Sequence, residues 1–183
     1  MEDLSLHILD IAENSIRAGA DRVSIRVVEN IDGNILTLEI SDNGKGMDKD
    51  AIKKVCDPFF TTKTVRDIGL GIPLLAQAAR ECEGDLTVES EVGKGTKINA
   101  YFQYDHIDRK PLGRIDETLV ILIASNPEID FLYEHSRDDD NYRLDTQEIR
   151  KELENVPINI PEVIKIIKND ISSWLNMEDN MIK

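Results

Sequence analysis

Three groups of residues in this chain of 183 have types and spacings that could do chemistry. The first lies in Leu4–Ala18 (LSLHILDIAENSIRA), where His7, Asp10, Asn14 and Arg17 recur at helical intervals. On a helix they share an arc of about 80°, while Ile8, Ala12 and Ile16 face elsewhere. A carboxylate, an amide and a guanidinium in line can serve a metal–phosphate ligand, although the same stripe also reads as a solvated helix face. The second is Asp42-Asn43-Gly44-Lys45-Gly46-Met47, directly after an alternating apolar stretch. Its two glycines allow close backbone approach, and a fixed carboxylate suits an amino group such as the exocyclic amine of adenine. A simple Asx turn is the other reading. The third is Gly69-Leu70-Gly71, running straight into a helical stretch. Free N–H groups and the helix dipole favour phosphate oxygens there, while plain packing would use the same glycines.

The elements that must position these groups follow from periodicity. Leu4–Ala18 reads as a helix ended by Gly19. Val23–Val28 and Ile35–Ser41 alternate apolar and polar residues around Asp32-Gly33, which predicts a hairpin. Asp48–Val55 reads as a short helix, Asp57–Asp67 as a loop, and Leu70–Cys82 as a helix. Leu86–Ser90 and Thr96–Tyr104 read as strands about the Gly93-Lys94-Gly95 turn. Helix, hairpin, loop, helix, hairpin is an α+β two-layer pattern. Beyond Tyr104 a charged connector, Asp105–Arg114, leads to Glu117–Ala124, read as a helix in preference to a strand. A second hairpin is expected from Ile129–His135 and Tyr142–Leu144. Asp145 and Glu148 have capping-box spacing for a helix through Glu154. Pro161 opens a last helix that places Val163, Ile166, Ile167, Ile171, Trp174 and Leu175 on one face.

Composition narrows the possible ligands. Lys plus Arg number 22 against 36 Asp plus Glu, a net charge of −14. Nucleic-acid backbones and anionic membranes need a basic face, so a polyanionic ligand must be small and gripped locally. Residues 105–183 carry 18 acids and 10 bases, so this segment alone is at −8. Two cysteines, Cys56 and Cys82, make neither a disulfide framework nor a zinc site. With no membrane-length apolar run and no signal pattern, a cytoplasmic location is expected. Gly93-Lys94 is followed by Gly95 rather than Ser or Thr, and position 74 is Leu. Both the phosphate loop and the Gly-x-Gly-x-x-Gly fingerprint are therefore absent.

In order along the chain stand Asn14 on the first helix, Asp42-x-Gly44-x-Gly46 after a strand, and Asp57-Pro58-Phe59-Phe60-Thr61-Thr62-Lys63. Gly69-x-Gly71 and Gly93-Lys94-Gly95-Thr96 follow. That succession resembles the GHKL ATPase superfamily over roughly residues 4–104, most closely its histidine kinases. The resemblance implies the Bergerat fold, a two-layer α/β sandwich, as an ATP-binding domain over 1–104. Residues 105–183 are then an acidic C-terminal α/β extension. It implies Asn14 as the Mg²⁺ ligand, Asp42 as the adenine acceptor assisted by Thr96, and Gly44 and Gly46 as the floor under the purine. Residues 57–71 become an ATP lid, with Gly69, Leu70 and Gly71 at the phosphates and Lys63 and Arg17 as phosphate neutralisers. Phe59 and Phe60 are expected to pack the lid onto the core.

Members of the superfamily that hydrolyse ATP or phosphorylate serine carry an acid four residues before the Mg²⁺ Asn. Here that residue is Asp10, one methylene shorter than the usual Glu, and it is the candidate base. No phospho-acceptor helix pair precedes the domain, so a free-standing regulatory kinase is expected, acting on Ser, Thr or His of a partner protein in trans. An ATP hydrolase with a lid-gated partner and an anti-sigma-type binding module are the alternatives. His106-Ile107-Asp108-Arg109-Lys110-Pro111 imitates the acceptor motif with its acid displaced by one, and is read as a loop. The acidic extension is the expected partner-docking segment.

Overall fold

A computed structural model describes residues 3–56 and 71–179. The first helix, α1 (Leu4–Arg17), begins where the Asp3 carboxylate accepts from the Leu6 N–H at 3.1 Å. It ends at Ala18, after which Gly19 takes a φ of +79°. Two of its unpaired first-turn N–H groups, those of Leu4 and Ser5, donate to the carbonyls of Pro111 and Leu112. The charged connector thus runs back and closes the start of this helix.

β1 (Arg22–Asn30) and β2 (Ile35–Asp42) form the expected antiparallel hairpin, and α2 (Lys49–Cys56) follows. α3 (Gly71–Arg80) leads into β3 (Asp85–Glu91) and β4 (Gly95–Gln103), the second antiparallel pair. β4 lies beside β2, with Asp42 directly opposite Thr96. The extension supplies α4 (Ile115–Ser125), β5 (Asp130–Arg137), β6 (Asp140–Asp145), α5 (Thr146–Leu153) and α6 (Pro161–Asp179). Asp145 caps α5, accepting from the Gln147 N–H at 2.9 Å.

One six-stranded sheet results, in the order β3-β4-β2-β1-β5-β6. The second hairpin does not stand apart: β5 pairs with β1 in parallel, making the sheet mixed and carrying it across residue 104. Alternation along β1 turns Val23, Ile25, Val27 and Glu29 inward, and the three aliphatic side chains share one core with Ile8 and Ile11 of α1 and Ile115 and Leu119 of α4. Burying each such aliphatic side chain stabilises the fold by roughly 1.5–3 kcal/mol. The opposite sheet face leaves Arg26, Lys97 and Tyr101 exposed. The layers are therefore one of helix and one of sheet, as the α+β reading requires.

The stripe expected on α6 needs one correction. Val163, Ile167 and Ile171 are buried, but Ile166 is 68% exposed. Ile164 packs against the core instead. An apolar arc wider than the face that meets the sheet leaves its outermost residue in water.

Candidate nucleotide site

A cavity of about 700 Å³ opens between α1, α2 and the β2–β4 edge, within the range of small-molecule sites. Asn14 and Arg17 of α1, Asp42 of β2, Thr96 of β4 and Gly46 with Met47 after β2 all line it. Apolar side chains of Ile11, Val55, Ile72, Val92 and Ile98 supply the remaining surface. A flat apolar body with a polar edge fits such a lining.

Asp42 is held by two donors. Ser15 Oγ donates to its Oδ2 at 2.7 Å, and the Gly44 N–H donates to its Oδ1 at 2.8 Å. Its remaining lone pairs can take hydrogens from a ligand. Asn43, next along, accepts from the N–H groups of Asp21 and Arg22 at 3.1 and 3.0 Å, fixing the turn to the start of β1.

The glycines serve the protein's own packing. Gly46 has a φ of +64°, and a Cβ there would lie 2.0 Å from the Glu91 carbonyl oxygen. Gly95, at a φ of +101°, would place a Cβ 1.9 Å from the Asp42 carbonyl oxygen. The two glycine loops therefore interlock, and the Gly93 N–H donates to the Lys45 carbonyl at 2.8 Å. Gly44 is buried beside Ala18 and does not line the cavity.

Along α1 the polar stripe divides. Arg17 is exposed, paired with Glu13 at 2.8 Å, and its Nη1 donates to Asn14 Oδ1 at 3.3 Å. Asp10 lies outside the cavity lining and packs against the first residue of α3, where a Cβ on Gly71 would fall 2.0 Å from its Oδ2. His7, only 2% exposed, sits at the same junction against the Gly71 backbone. Burial pushes its pKa below the usual histidine value, with Asp10 pulling the other way. Its Nδ1 has no hydrogen-bond partner among the described residues. The stripe is thus neither wholly solvated nor wholly in the site. Asn14 and Arg17 reach the cavity, while Asp10 and His7 reach the junction with Gly71. Phe59, Phe60, Lys63, Gly69 and Leu70 lie outside the described residues.

Two contributors escaped the sequence reading, Ser15 and Ser90. Ser15 carried a signal, because on a helix of about 100° per residue it falls between Ile8 and Ile11 on the buried face. A hydroxyl there had to find an acceptor. Ser90 sits on β3 and contacts both glycine loops, a long-range role that no spacing reveals. Among the described residues no group of three or more His, Cys, Asp or Glu can hold a metal by itself, and no helix is long and apolar enough to cross a membrane.

Comparison with known proteins matches residues 2–106 to the family described as histidine kinase-, DNA gyrase B- and HSP90-like ATPase. Sporulation kinase E of Bacillus subtilis is 36% identical over 89 residues, which is 48% of this chain and 12% of that protein. Sensor kinase CckA of Brucella abortus is 31% identical over 83 residues, 45% of this chain and 9% of that one. The chain thus spans a small fraction of the relatives it matches. Among solved structures, the N-terminal domain of a DNA repair protein superposes with a TM-score of 0.54 at 16% identity, covering 79% of this chain and 53% of that one, a likeness of fold. With the family model covering more than half of its residues, the chain belongs to the histidine kinase-, DNA gyrase B- and HSP90-like ATPases and carries the ATP-binding domain of the GHKL superfamily.

Proposed function

We propose that the chain binds Mg·ATP in this cavity and acts in the cytoplasm as a regulatory protein kinase, transferring phosphate to Ser, Thr or His of a partner protein in trans. The observation that carries the ATP site is the Asp42 carboxylate, held by Ser15 and Gly44 beside Thr96 with apolar walls around it. On this reading Asp42 accepts from the adenine amino group, with Thr96 beside it. Gly46 keeps the floor close, and Arg17, Lys63 and the Gly69–Leu70–Gly71 turn meet the phosphates.

Asn14 fits the metal. Asn14 lines the cavity, and its amide oxygen accepts a 3.3 Å bond from the exposed Arg17 guanidinium. A hard cation wants such oxygens and completes its shell from phosphates and water. Bound there, Mg²⁺ would offset phosphate charge.

The kinase reading draws on the sensor and sporulation kinases among the relatives. Of this chain's three histidines, His7 and His135 are buried, and His106 lies in the connector rather than on a helix, which favours an acceptor on another protein. Asp10, one turn before Asn14, is the candidate base. A carboxylate deprotonates water as readily as a hydroxyl, so ATP hydrolysis is the second reading. The segment 105–183, at −8, is the proposed partner surface, suited to a basic face and weakened by salt.

γ-Labelled ATP with Mg²⁺ and candidate partner proteins tests this. Label transferred to a partner is the expected result. Free phosphate alone makes the protein a hydrolase, and bound, unreacted ATP alone makes it a nucleotide-dependent binding module.

A further inference from the structure

Ser90 makes three contacts with its hydroxyl. The Met47 N–H donates to Oγ at 2.8 Å, Oγ donates to the Gly95 carbonyl at 2.8 Å, and Thr96 Oγ1 lies 2.9 Å away. A hydroxyl has one proton and two lone pairs. The amide can only donate and the carbonyl can only accept, so those two contacts consume the Ser90 proton and one lone pair. The third contact must then be the Thr96 hydroxyl donating to Ser90. Thr96 has spent its proton inward, and only acceptor lone pairs remain on the oxygen it brings to the cavity wall.

Directly across the strand pair from Thr96 stands Asp42, whose carboxylate is also acceptor-only. Two neighbouring acceptors at the 6-position of a purine can each take one hydrogen of an exocyclic amino group. A 6-oxo purine puts an acceptor oxygen there and offers only its single N1–H alongside, so at least one of the two acceptors is left facing the oxygen unpaired.

We infer that Ser90 is a specificity-determining residue of the cavity: by taking the Thr96 proton it makes the Asp42–Thr96 edge acceptor-only, selecting a 6-amino over a 6-oxo purine. Ser90 touches no ligand itself and acts through Thr96. The inference rests on the ATP reading of the site.

ATP and ITP differ in the edge concerned, so their dissociation constants, measured by calorimetry on the full chain, isolate the effect. The wild type is expected to prefer ATP by about tenfold or more. In Ser90→Ala the Thr96 hydroxyl is free to turn and donate, and the preference falls to about threefold or less, whatever happens to affinity overall. Ser90→Thr restores it, and adding Ser90→Ala to Thr96→Val changes the ratio no further. A purely structural role lowers both affinities together, so an unchanged ratio in Ser90→Ala overturns the inference while leaving the ATP site intact. Should that variant fail to fold, Ser90→Cys substitutes a thiol, a weak hydrogen-bonding group, and must also lower the ratio. Wild-type protein that binds neither nucleotide, or both equally, overturns it as well; binding neither also overturns the ATP reading.

Discussion

Asp10 and Asn14 lie one helical turn apart, yet the fold sends them to different places. Asn14 reaches the cavity, whereas the Asp10 carboxylate packs against Gly71 at the start of α3. On the proposed mechanism that junction is where the acceptor's proton is taken. Asp10→Asn keeps the shape and removes the base. ATP affinity is then expected to stay within about threefold while phosphate transfer falls by about 10²–10⁴. Equal rates in the two proteins, by labelled-phosphate release or transfer, would remove Asp10 from the chemistry. Asp42, Asn14, Arg17 and Thr96, which line the cavity, were legible as candidates because each stands in a local motif. Ser15 and Ser90 stand in no such motif, and their value lies in partners 27 and 6 residues away, although the helical period alone marked Ser15 as a buried hydroxyl.

At the scale of elements, periodicity located nearly every helix and strand because each buries one face. What it missed was why the glycine loops sit where they do. Gly46 lines the cavity, and a Cβ at that position would also meet the Glu91 carbonyl, so the loop is shaped by its neighbour as well. Gly46→Ala combines that clash with a left-handed backbone, and should cost roughly 1–3 kcal/mol or more. Urea unfolding is expected to show the lower midpoint, and ATP affinity should fall with it because Met47 is displaced from the wall. An unchanged midpoint would mean the two loops do not interlock as described. Ile166 failed for a simpler reason: the helical stripe was wider than the surface available to cover it.

For the molecule as a whole, the parallel pairing of β5 with β1 was beyond sequence reading, because strand partners more than a hundred residues apart leave no local trace. A buried polar chain fastens that seam. Glu29 accepts from His135 Nε2 at 2.8 Å, and His135 Nδ1 meets the Tyr133 hydroxyl at 2.8 Å. Trp174 of α6 packs on the His135 ring at 4.6 Å between centroids. Burial alone would raise the Glu29 pKa, but the His135 bond and charge, with Tyr104 and Arg137, hold it below the ordinary carboxylate value. A lowered pKa means stability that is present above the usual carboxylate range and lost as pH falls through the folded value. Glu29→Gln should therefore be less stable than wild type near neutrality, with the difference closing in acid. A gap independent of pH would show that Glu29 is not ionised in the fold. The same seam joins residues 105–183 to the nucleotide domain in one sheet, so a partner docking there, as proposed, would touch a body continuous with the cavity. The proposed function stands on the cavity holding ATP through Asp42, and a calorimetric titration of Mg·ATP into wild type and Asp42→Asn tests it most directly. One ATP per chain is expected in the wild type and no measurable binding in Asp42→Asn, and equal affinity in the two proteins would contradict the Asp42 site.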